Sequence, residues 1–178
     1  FAGDYILTTI PTDDLFPVIE LRFNTRWRVE FKKILKSTSF LSSLINPLST
    51  ETSFRIDENS EEEDVAKILL LDLDYFLNDS TTLRGSQLFQ NDFHLFRNKR
   101  EFSVRLRFLE RNLLSQFSSG LEKSYVKETS VRLRFKMIKE INNETEYINK
   151  IDNVFSEANV TRNRQLSSEE ILTDFSYS

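Results

Sequence analysis

Cysteine is absent from this chain of 178 residues, glycine and proline occur three times each, and histidine occurs once. Without thiols there can be no disulfide, no thiolate nucleophile and no cysteine metal site. Gly3, Gly85 and Gly120 stand alone, so no glycine-rich loop offers bare backbone to a phosphate. The lone His94 cannot form a zinc cluster, and it lacks the flanking glycines that accompany a nucleophile elbow. No run approaches the roughly 18 apolar residues that a membrane-spanning helix needs. The net charge of −4 gives no overall attraction to nucleic acid. The expected catalytic, metal and cofactor sets are therefore empty.

What the chain has is alternation. Ser-Val-Arg-Leu-Arg-Phe occurs twice, at 103–108 and at 130–135. Successive side chains on a strand point to opposite faces. Each copy therefore reads as a strand with an apolar face (Val104, Leu106, Phe108; Val131, Leu133, Phe135) and an arginine face (Arg105, Arg107; Arg132, Arg134). The apolar members are expected to be buried and the arginines exposed. With 16 phenylalanines and 39% hydrophobic residues, the composition is that of a chain with a packed interior.

Elsewhere the spacing points to helices. Trp27, Phe31, Ile34, Leu35, Leu41 and Leu44 recur at helical intervals with Arg28, Lys32, Lys33 and Lys36 opposite. This predicts an amphipathic helix over about residues 25–45, ended by Pro47. Ile148, Ile151, Phe155 and Ala158 predict a second helix over about 142–159. Ser167-Ser168-Glu169-Glu170 has the form of a capping box opening a short last helix. Residues 46–64 read as a polar connection, and 65–77 suit a strand or a helix by period, with a central strand favoured because the long strands that follow need a partner. The expected fold is α+β: an antiparallel sheet of about four strands carrying both helices, within a single domain over 1–160. A tail with a short helix follows over 161–178.

Residues 69–76, Leu-Leu-Leu-Asp-Leu-Asp-Tyr-Phe, form an apolar run ending in Asp-X-Asp. This resembles the first motif of the haloacid-dehalogenase phosphatases and, with Tyr75-Phe76, the metal-binding strand of Y-family DNA polymerases. The resemblance implies a hard cation such as Mg²⁺ held by Asp72 and Asp74, with one Asp as nucleophile in the phosphatase case. Tyr75 and Phe76 stand where the phosphatases carry glycine and a small or β-branched residue, and no matching lysine or acidic-pair motif follows.

The reading that results is a non-catalytic binding or accessory subunit. It would contact a protein partner through a basic sheet face, an edge strand or the helical tail. The strand pattern with an early amphipathic helix is similar to that of small accessory lipoproteins of bacterial envelope transport systems. Two alternatives stand beside it: a metal-dependent phosphoryl-transfer enzyme using Asp72 and Asp74, and a polyanion or membrane-surface binder. The binding candidates are Arg105, Arg107, Arg132, Arg134 and Lys136. Nucleic acid is not expected, because the aromatics that would stack on bases lie on the face opposite the arginines. The chain opens on Phe1 rather than Met, so the expectation is an exported or membrane-attached soluble part, with any anchor lying ahead of it.

Overall fold

Alternation of apolar and polar side chains reaches well beyond the twin hexapeptides, and in a computed structural model of the chain it organises the whole sheet. The structure describes residues 18–34, 46–61, 77–99, 101–138 and 140–177. Seven strands follow in order: β1 (Ile19–Glu30), β2 (Leu48–Ser60), β3 (Thr82–Leu95), β4 (Phe102–Phe117), β5 (Gly120–Ile138), β6 (Ile141–Ser156) and β7 (Arg164–Tyr177). They make one sheet in which every strand pairs antiparallel with its sequence neighbour. This is an up-and-down meander of strands of 12 to 19 residues, long beside the usual 5–6 or so. The only α-helical segment among the described residues is one turn, α1 (Phe31–Ile34).

The α+β expectation is therefore corrected to an antiparallel sheet. The antiparallel pairing stands, but the described residues form seven strands rather than about four, and among them neither expected helix is found. The helix expected over 25–45 begins as strand, because the alternation Leu21, Phe23, Thr25, Trp27, Val29 against Arg22, Asn24, Arg26, Arg28 continues to Glu30. Its remainder, 35–45, lies outside the described residues. The helix expected over 142–159 is β6 up to Ser156. Its Ile, Thr, Tyr and Val residues favour a pleated strand, and pairing along both edges outweighs a helical spacing carried by four residues. The short helix expected in 161–178 is β7, preceded by a 3-10 turn at Val160–Arg162 that the Asn159 side chain caps. The polar connection 46–64 contains β2, whose one polar and one mixed face conceal its period. The stretch 65–77, apart from Leu77, lies outside the described residues, and so do Asp72 and Asp74.

Close connections hold the hairpins in register. Ser118 and Ser119 join β4 to β5. Between β3 and β4 the chain turns at Phe96, whose ring meets Phe102 edge-on at 6.1 Å and lies 4.7 Å beneath the Lys99 ammonium. The twin hexapeptides lie side by side, with Val104 opposite Leu133, Leu106 opposite Val131 and Arg105 opposite Arg132.

A conventional core is small. Among the described residues the buried hydrophobics are Ile56, Leu114 and Leu121. Ile56 packs with Ile19, Leu21, Phe23 and Phe54, and the Phe23 and Phe54 rings meet at 6.2 Å in a T-shape. No second layer among the described residues covers the rest.

Gly120, after the two-serine turn, has φ of +131°, a region that side chains avoid. A Cβ there would sit 3.0 Å from Glu157 Cβ. Gly120→Ala should lower unfolding free energy by about 1–3 kcal/mol, read by denaturant titration, while Ser119→Ala should leave it nearly unchanged.

Candidate functional site

Register decides which side chains share a face. One face gathers the even residues of β1, β3, β5, β6 and β7 and the odd residues of β2 and β4. It holds nearly all the charge. Among described strand residues, the opposite face carries only Glu58, Glu110, Lys123, Lys127 and Glu169 as charged groups. The aromatics are mostly on that opposite face, with Trp27, Phe89, Phe93, Phe102, Phe108, Phe135, Tyr147, Phe175 and Tyr177 among them.

The charged face is cross-linked by ion pairs between neighbouring strands. Glu146 on β6 accepts from Arg132 Nε at 3.0 Å and Nη2 at 2.6 Å, from Arg105 Nη2 at 3.0 Å and from Ser130 Oγ at 3.0 Å. Glu144 receives Arg134 Nη2 at 2.6 Å and Arg132 Nη1 at 2.9 Å. Asp92 on β3 takes Arg107 Nε at 2.7 Å and Gln90 Nε2 at 2.7 Å. Glu51 on β2 bridges Arg26 of β1 and Arg97, the latter at 3.0 Å. Arg164 reaches Asp152 at 3.1 Å, tying β7 to β6. Planar guanidinium forks suit this role, because one fork can span a carboxylate or bridge two.

Burial runs opposite to the usual order. The side chains of Asp92, Glu51, Glu146 and Arg105 are 9%, 11%, 13% and 18% exposed. Phe89, Phe108 and Val131, in the middle of the sheet, are 42%, 39% and 39% exposed. The expectation of buried apolar residues and exposed arginines in the hexapeptides is therefore corrected. The faces are as the alternation predicts, but Phe108 and Val131 are exposed and the other apolar members only half-buried, while Arg105, Arg107 and Arg132 are half-buried and Arg134 alone of the four arginines is exposed. The cause is side-chain reach. Long guanidiniums lie across neighbouring strands and cover one another and their acids, whereas among the described residues no second layer lies over the aromatics.

The structure brings Arg105, Arg107, Arg132 and Arg134 together on this face. Lys136 is exposed, opposite Asn142, and its backbone N–H donates to the Glu101 carbonyl at 2.8 Å. The acids that answer the arginines are Asp92, Glu144 and Glu146. Sequence reasoning missed Glu144 and Glu146 because it took 142–159 for a helix. Read as a strand, Glu144 and Glu146 are two apart on one face, in step with Arg134 and Arg132, and that spacing was the available signal. Among the described residues no three potential metal-ligating side chains converge. His94 lies opposite Arg105, facing the same cluster.

Neutral polar groups within the apolar face bond to one another. Asn91 Nδ2 donates to Thr52 Oγ1 at 2.5 Å, and Thr145 Oγ1 donates to the buried Asn143 Oδ1 at 3.0 Å. Beyond them Glu58 is buried, accepting from Thr82 Oγ1 at 2.5 Å and from the Leu77 N–H at 3.3 Å. Compared with protein-family models, with curated proteins and with solved structures, the chain matches none.

Glu146 answers two arginines and a serine at once, so Glu146→Gln should destabilise by about 2–4 kcal/mol, between an exposed and a fully buried pair. A double-mutant cycle of Asp92→Asn with Arg107→Gln, followed by urea unfolding, should give a coupling of about 1–3 kcal/mol. Additive losses would show that the two groups are only neighbours.

Proposed function

We propose that this chain is a non-catalytic wall segment of a membrane-spanning β-barrel, its aromatic face against lipid and its charged face lining a polar interior. The observation that carries the reading is the reversed burial: mid-sheet carboxylates and guanidiniums are covered while mid-sheet phenylalanines are open. In water an uncovered apolar face of this extent is a liability. In a bilayer it is the stable side, while every charge and backbone polar group must be satisfied within protein or facing water.

Two further features support it. The meander topology is that of up-and-down barrels, and residues 48–56 of β2, whose Glu51 and Arg55 both lie on the charged face, put no charge on the aromatic face over about the 9–11 residues of a tilted membrane-crossing strand. The border of the charge-free zone is also slanted. The row of paired residues through Glu58 passes Gly85, Leu114 and Lys123 to Phe155. On β4 and β5 the charges of this face reach Glu110 and Lys127, which pair with each other beyond that row, and on β7 they reach Glu169, further beyond it. Averaged from β2 to β7, the border moves by about one residue per strand. With about 3.4 Å per residue and about 4.8 Å between strands, it crosses the rows at about 35–40°, within the usual tilt of barrel strands. At the far end Phe102 pairs with Phe135, and Phe175 and Tyr177 continue across the sheet, like the aromatic girdle at a membrane surface.

The partner contacts belong to the edges. Among the described residues β1 and β7 are the ends of the sheet, and β7 is exposed along its length. Open edges with unpaired backbone groups demand further strands, so closure by additional antiparallel strands is the interaction this segment makes. Among the described residues no helix is long and apolar enough to cross a membrane, and crossing here is by strands.

The cysteine-free chain allows a direct test. Single cysteines placed in turn at 103–108 are spin-labelled in the protein reconstituted into lipid vesicles. Positions 104, 106 and 108 should be reached by oxygen dissolved in lipid, and 103, 105 and 107 by a water-soluble nickel chelate. Equal access of the chelate to both sets would sink the proposal.

A further inference from the structure

We propose that the arginine cluster on the charged face is a binding site for a small phosphate-like oxyanion. The site is a cavity of about 170 Å³ lined by His94, Arg97, Ser103, Arg105, Arg132 and Arg134, with Val104 at its wall and no carboxylate in its lining. The guanidiniums are held in place from outside it. Arg105, Arg132 and Arg134 share two carboxylates, Glu146 and Glu144, and Arg97 shares Glu51 with Arg26. Each set is one negative charge short.

The shortfall is concentrated where it is hardest to tolerate. Arg105 lies directly opposite Arg132, and like charges directly opposite destabilise a sheet. Arg105 Nε is buried and has no hydrogen-bond acceptor. A buried charged donor without an acceptor is costly, and an oxyanion in the cavity supplies both the acceptor and the charge. The arginines are already fixed by Glu144 and Glu146, so little side-chain freedom is lost on binding. Ser103, opposite Arg134, adds a hydroxyl donor. The small volume of the cavity and the donors that line it suit a compact tetrahedral anion. The chemistry is shared by free phosphate and by a phosphate monoester.

This site does not depend on where the aromatic face lies, and its test is read in detergent solution without a bilayer. The full chain is titrated with inorganic phosphate at fixed ionic strength by calorimetry, with chloride as control and glycerol phosphate in a parallel arm. Saturable phosphate heat, absent with chloride, is expected. A stronger response to glycerol phosphate would assign the site to a monoester, and equal or weaker response to free phosphate. Arg105→Gln should weaken binding at least tenfold. Because that change also removes an ion pair, Ser103→Asp provides the second variant. It places a carboxylate in the cavity, breaks no pair, and should abolish binding with the far-ultraviolet circular dichroism unchanged. Phosphate heat that never saturates, or that survives Ser103→Asp in folded protein, would overturn the proposal.

Discussion

Arg132 stands between Arg105 on one strand and Glu146 on the next, and the placement of every other side chain in the centre of the sheet follows from that column. Arg105 and Arg132 repel, so the pair is tolerable only while Glu146 reaches both. A slip of one residue in β6 would move Glu144 and Glu146 to the opposite face and leave the arginines unanswered. The ion pairs thus specify register over β3 to β6, and register fixes which face is charged. Buried pairs of this kind are weak net stabilisers but costly to break. Their main contribution here is selection of one pairing among several that long meander strands could adopt.

Once register is set, charge segregation makes the sheet an object with two incompatible surfaces. One pairs most of its charges across neighbouring strands and tolerates water. The other offers aromatic and aliphatic groups, plus amides and hydroxyls some of which bond to each other, and has no covering layer among the described residues. The slant of the charge border is independent of any one side chain's exposure, because it comes from the pairing alone. Its agreement with a barrel tilt joins the two halves of the account: the same strands that carry the ion pairs cross the apolar band obliquely. The buried Glu58 marks the edge of that band on β2, as Glu110 and Lys127 do on β4 and β5.

Much of this was legible in the sequence, but unevenly. The hexapeptides give two strands, their pairing and their arginine face, because alternation of residues so different in hydrophobicity has a single structural meaning. The two helices were misread from short windows. Trp27, Phe31 and Ile34 fit a helix as a set, yet Arg22 to Arg28 alternate at a period of two. In β6 the polar partners of the arginines were mistaken for one side of a helix. Strand β2 was hidden by its serines and threonines, which read as a loop unless a neighbour supplies the other half of each pair. The larger error concerned burial: apolar was equated with covered. That holds in water, and for a sheet solvated by lipid the relation reverses. The sequence carries no local mark of which solvent applies. The mark is collective, in the distribution of charge between faces, and needs the register to be seen.

Trp27 offers the most direct measurement of that central claim. It is the chain's single tryptophan, it lies on the aromatic face opposite Thr52, and it is 63% exposed. In vesicles whose acyl chains carry bromine, the account predicts strong quenching of its fluorescence and protection from aqueous iodide. Quenching by iodide with no effect of the brominated lipid would show that this face meets water or a detached partner, and the account would fail.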